Sequence, residues 1–122
     1  GDGTHFAHRW TDAGVVTDAA FTGAHLLHLA VAGCVLNDIH REARTLGIPL
    51  RGVEVVARGG FDETAWESRG IVYAVTVDAD ADESAIDALL ARVDQVAEIP
   101  RAVRAGATVA RARAGLPRGD IF

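Results

Sequence analysis

Cys34 is the single cysteine of this 122-residue chain, and it lies in the apolar run LLHLAVAGCVL from Leu26 to Leu36. Without a second thiol the chain can form no internal disulfide, no Cys-x-x-Cys redox pair and no cysteine-rich zinc site. Any chemistry at this sulfur is that of a thiolate working without an internal partner. A lone cysteine in an apolar helix is most often a small buried hydrophobe, so its neighbours matter. Ala30, Ala32 and Gly33 are small and would let another backbone or a ligand come close. Asn37, Asp38 and Arg41 follow on the same side of a helix. An Arg there favours the thiolate and Asp38 opposes it.

His25 and His28 stand one turn apart, a spacing compatible with metal ligation. No third ligand is identifiable, so neither a metal nor a cofactor is expected. At about 100° per residue His28 falls roughly 120° around the helix from Cys34, and His25 roughly opposite it. A straight helix therefore makes no Cys-His pair, and hydrogen-bonded histidines near a helix start or an interface are the simpler reading. Arg9 alternates with apolar neighbours and is either a solvated residue or the cation of a site. Arg101 and Arg104 read as a solvated face.

The elements that must position these residues are legible in outline. THFAHRW, residues 4–10, alternates; Asp12, Ala13 and Gly14 supply a tight turn before GVVTD, giving an N-terminal hairpin. One long helix is expected from Ala24 to Leu46, capped by Thr22 or Gly23 and stopped by Gly47 and Pro49. Its first half is apolar on nearly every face and must be surrounded by protein. Val53–Phe61 and Arg69–Asp78 read as antiparallel strands joined by DETAWES. Asp80 and Glu83 have capping-box spacing ahead of an amphipathic helix through Val96 that would cover one face of the sheet. Pro100 opens a short helix, PRAVRA, ended by Gly106, and ATVARAR would return as an edge strand before a polar tail. The order β-β-α-β-β-α-α-β is an α+β fold in one domain spanning residues 1–122.

Composition narrows the function classes. The 12 basic residues, all Arg, against 17 acidic ones leave a net charge of −5, so nucleic acid and anionic membranes are poor partners. The longest apolar stretch is far short of the about 20 residues a membrane span needs. No basic segment leading into an apolar one opens the chain, and a free thiol suits a reducing compartment; a cytoplasmic location is expected. The first residue is Gly1 rather than Met, so some N-terminal sequence is allowed for. The abundance of Ala, Arg, Val, Gly and Asp suggests a bacterial coding bias.

The segment TGAHLLHLAVAGCVLNDIHREARTLGIPL, with AGC at residues 32–34, and EIPRAVRAG at residues 98–106 resemble the OsmC/Ohr family of bacterial thiol-dependent hydroperoxide reductases. The resemblance covers most of the chain. It implies a long central helix packed on antiparallel sheet in an intertwined homodimer, with two sites at the subunit interface. There the first cysteine attacks a peroxide O–O bond and a second resolves the sulfenic acid as a disulfide, later reduced by external thiols. The first cysteine falls on Cys34. The resolving position, just before Pro100, is Ile99, which removes the two-cysteine cycle. The family's Glu matches Ala24 or His25 and is absent. Arg9 is the candidate for its partner Arg.

Two readings follow. In one, Cys34 with Arg9 and His25 is the catalytic set of a one-cysteine peroxidase, with His28 and Asp38 touching a small-molecule substrate and an external thiol as reductant. In the other, the protein has left peroxide chemistry and binds or transforms another small molecule in the dimer-interface pocket.

Overall fold

The computed structural model describes residues 3–115; the polar tail beyond Gly115 lies outside them. The chain runs β1 (Thr4–His8), β2 (Thr11–Thr17), α1 (Gly23–Leu46), β3 (Leu50–Phe61), β4 (Ser68–Ala79), α2 (Glu83–Val96) and α3 (Glu98–Ala105). This is a mixed α+β fold, with two separate two-stranded antiparallel sheets, β1-β2 and β3-β4.

The first hairpin turns earlier than its sequence suggests. Thr4 pairs with Thr17, Phe6 with Val15 and His8 with Thr11, so the chain reverses at Arg9 and Trp10. Asp12, Ala13 and Gly14 belong to β2. Gly14, at φ 77, sits beside the register shift between Phe6 and His8. A Cβ there would strike the Phe6 carbonyl. The glycine marks a bulge, not a turn.

Helix α1 begins where Thr22 Oγ1 accepts the His25 backbone N–H at 3.1 Å. It ends at Gly47 in the left-handed region, with Ile48 N–H returning to the Ala43 carbonyl at 2.9 Å. Its buried stripe, His28, Val31, Val35, Ile39 and Ala43, recurs every three or four residues and so faces one side. That side meets the β3-β4 ribbon, where Val53, Val55 and Ala57 pair with Val77, Val75 and Tyr73 on the inward face. The opposite face, with Glu54, Arg58 and Thr76, is exposed.

Helix α2 packs mainly on α1, not across the sheet. Leu89, Val93 and Ala97 close the core against Val35, Ile39 and Ala43. The cap of α2 is Asp82, which accepts the Ala85 N–H at 2.8 Å. Asp80 instead pairs with Arg51, which also holds Asp78 at 2.7 Å. α3 starts at Glu98, before Pro100, with Ala97 as its cap and no side-chain cap bond. The expected strand over ATVARAR is absent: residues 106–115 are irregular. Val109 is 93% exposed, and no edge of either sheet lies alongside to supply ladder bonds.

A single chain does not surround the first half of α1. Leu26 is 39% exposed, Ala30 and Gly33 are exposed as well, and the space beside Gly33 is open.

Candidate functional site

Cys34 lies half-buried at the middle of α1, facing the start of α3. Together they form an open cleft of about 490 Å³ lined by Cys34, Asn37, Asp38, Arg41, Glu98 and Ile99, with Ala30, Gly33 and Val96 around them. The small residues Ala30 and Gly33 leave the sulfur approachable.

The thiol feels opposing influences. Burial, the largest, pushes the Cys34 thiol above its ordinary value. The backbone N–H of Ile99 pulls it down, the Asp38 carboxylate pushes it up, and Glu98 contributes one effect of each sign through its N–H and its carboxylate. The balance is upward: in this arrangement the resting sulfur is a thiol at neutral pH.

Asp38 is 4% exposed and has the partners a buried carboxylate requires. Arg41 donates to Asp38 Oδ1 at 3.0 Å, and Asn37 Nδ2 donates to the same oxygen at 3.2 Å. Arg41 Nε also reaches Glu42 at 3.3 Å, and Glu42 holds Arg92. Because the Asn37 amide donates to Asp38, its Oδ1 is left to accept from His8 Nε2 at 3.1 Å. Thr11 donates to the Gly14 carbonyl, so its oxygen is free to accept from His8 Nδ1 at 3.0 Å. The His8 ring meets His40 edge-on at 5.5 Å between centroids. Burial, then His8, holds His40 below the ordinary histidine value.

Of the residues expected from sequence, Cys34 and Asp38 share the cleft. His25 is exposed, its Nδ1 2.6 Å from the Thr22 hydroxyl at the helix start. His28 is buried, stacked on Phe61 at 6.5 Å, with Nε2 lacking a hydrogen-bond partner. Arg9 lies over Trp10, 4.9 Å from the ring centroid, outside the cleft. His8 carries no signal of its role in the sequence: its bond to Asn37 spans 29 residues and exists only because the first hairpin docks on α1. Among the described residues no group of three His, Cys, Asp or Glu side chains could hold a metal ion, and no helix is long and apolar enough to cross a membrane.

A wider apolar groove of about 710 Å³ runs between β4 and the α2-α3 corner, past Ile71, Val75, Leu90 and Val103. At its polar end the Tyr73 hydroxyl donates to Asp94 at 2.5 Å and Arg104 donates to the same oxygen at 2.8 Å.

A long helix carrying one approachable thiol, covered by an antiparallel ribbon and two further helices, defines an α+β protein with a cysteine-centred cleft. The family profile described as OsmC-like protein matches residues 16–111, and the chain belongs to that family. Solved structures share the fold. An OsmC-like protein from Mycoplasma pneumoniae superposes with a TM-score of 0.65 at 15% identity, over 71% of this chain and 64% of that one. An OsmC-like hydroperoxide resistance protein from a Jannaschia species gives 0.57 at 16% identity, over 84% and 74%. An organic hydroperoxide resistance protein, OsmC, from Legionella pneumophila gives 0.52 at 21% identity, over 73% and 66%. The match thus spans about two thirds of the Mycoplasma and Legionella chains. No curated protein matches the sequence.

Proposed function

We propose that the chain is one OsmC-like domain that reduces hydroperoxides with a single cysteine and an external thiol. The observation that carries this reading is the position of Cys34: an approachable sulfur at the floor of a cleft, beside the backbone N–H groups that open α3. The Cys34 thiolate attacks one peroxide oxygen and the O–O bond breaks. The departing alkoxide takes up a proton as the alcohol, and the sulfur, oxidised by two electrons, becomes sulfenic acid. One external thiol then condenses with it, releasing water and leaving a mixed disulfide. A second thiol displaces the first as a disulfide and restores Cys34. Within this chain the cation nearest this chemistry is Arg41, which lines the cleft, and Asp38 orients it.

The assembly proposed is a homodimer. The half-helix from Leu26 to Leu36 is apolar yet leaves Leu26, Ala30 and Gly33 exposed, and a second copy would bury them and close the cleft. Closure would remove water from the sulfur and bring in residues of the partner chain. Light scattering should then return twice the chain mass.

The second reading is a family member that binds or transforms another small molecule at this interface. The upward shift of the thiol and Ile99 in place of a second sulfur favour it. Hydroperoxide turnover with several thiol donors, parent against Cys34→Ser, separates the two: equal rates would end the peroxidase reading.

A further inference from the structure

Arg9 and Arg44 meet on one indole. Arg9, at the hairpin turn, places its guanidinium carbon 4.9 Å from the Trp10 ring centroid, and Arg44, in the last turn of α1, places its own at 5.7 Å. Both side chains are exposed and Trp10 is half-buried. Among the described residues neither arginine has a carboxylate within salt-bridge distance, unlike Arg41, Arg51, Arg92 and Arg104; Arg58, Arg69 and Arg101 also lack one, and what sets Arg9 and Arg44 apart is the ring they share. His8 and His40 lie next to them, one residue and one helical turn away, and touch each other. A chain with a net charge of −5 thus brings two guanidiniums to one indole with no acid paired to either.

Two guanidiniums drawn to one ring repel each other unless an anion answers them. The indole face offsets part of this by cation–π attraction and fixes where the guanidiniums stand. Their N–H groups remain free to donate. From this we propose a binding site for a phosphate-type oxyanion on Arg9 and Arg44, over Trp10. A phosphate has enough oxygens to accept a fork from each guanidinium, and two negative charges to match them. A carboxylate has two oxygens, enough for one fork, and should bind more weakly. The site does not depend on the peroxidase reading, since neither arginine lines the Cys34 cleft.

The test follows the arginine Nε–H and tryptophan indole resonances of the full chain during titration with inorganic phosphate, at ionic strength held constant with chloride. Saturable shifts confined to Arg9, Arg44 and Trp10 are expected, with acetate weaker. Arg9→Ala and Arg44→Ala should each weaken phosphate binding about tenfold, the loss of a charge-assisted bond, while Arg58→Ala on the exposed sheet face leaves it unchanged. Because Arg44 also complements the end of α1, Arg44→Lys keeps that charge and should still lose affinity by removing the fork. Shifts that grow linearly without saturating, that appear equally at Arg58, or that persist in Arg9→Ala/Arg44→Ala overturn the proposal. Saturation by an oligonucleotide but not by phosphate would also overturn it.

Discussion

The backbone N–H of Ile99 lies beside the sulfur of Cys34, so a position from which a second sulfur could meet the first is occupied by an aliphatic side chain. Ile99 stands inside the first turn of α3, not at its cap, and is half-buried in the same cleft. Ile99→Cys should fold, at a cost of about 1 kcal/mol for the lost methyl groups. Intact-mass measurement after hydroperoxide treatment should show loss of two hydrogens within each Ile99→Cys chain. The parent should instead gain one, two and three oxygens. Absence of the disulfide would mean that the two side chains do not meet.

Cys34 alkylation in the native protein should accelerate only above the ordinary cysteine value of about 8.5. The folded thiol is held protonated by burial and by Asp38. Asp38→Asn removes the opposing carboxylate and leaves Arg41 with Glu42 as its remaining acid, so the midpoint should move to lower pH. If the alkylation profile is identical in the two proteins, Asp38 does not act on the sulfur.

The elements carried by local signals were readable in the sequence: α1, from the Thr22 cap to Gly47, and the two long strands with their alternating faces. The site was readable in part. Cys34, Asn37, Asp38 and Arg41 come together through helical spacing alone, which is a local rule. His8 on Asn37, Arg44 on Trp10 and Glu98 beside the sulfur are consequences of docking between elements distant in the chain, and no period encodes them. Asp80 misled because Asp82, two residues later, serves the same capping chemistry. ATVARAR misled because a strand needs a neighbour to pair with, which its own composition does not reveal.

Gly59 is fixed by packing. A Cβ there would stand 2.5 Å from the Gly70 carbonyl and 2.8 Å from His28 Nε2. Gly59→Ala should therefore destabilise by about 2 kcal/mol in urea unfolding. Adding His28→Ala should not restore it, because the backbone clash with Gly70 remains. By itself, His28→Leu removes a buried nitrogen that has no partner and should leave stability within about 1 kcal/mol of the parent or raise it. A larger loss from His28→Leu would show that the ring nitrogen is satisfied in solution.

Tyr73 is the single tyrosine of the chain, so absorbance of the ionised phenol reports it alone. Burial, then the hydrogen bond to Asp94, pushes its hydroxyl up to about 12, against about 10 in an unfolded chain. A group that holds its proton more tightly when folded stabilises the fold while both states are protonated. That contribution is present below pH 10 and is lost as pH rises from there through 12. Two outcomes are expected: native titration near pH 12, falling to about 10 in urea, and alkaline loss of stability beginning above pH 10. Asp94→Asn replaces the negative acceptor by a neutral one and should bring the native midpoint back toward 10, with Arg104, which shares that carboxylate, no longer neutralised beside the phenolate. If the native midpoint lies at 10 in the parent, the Tyr73–Asp94 bond is not formed in solution, and the polar end of the groove is open to water.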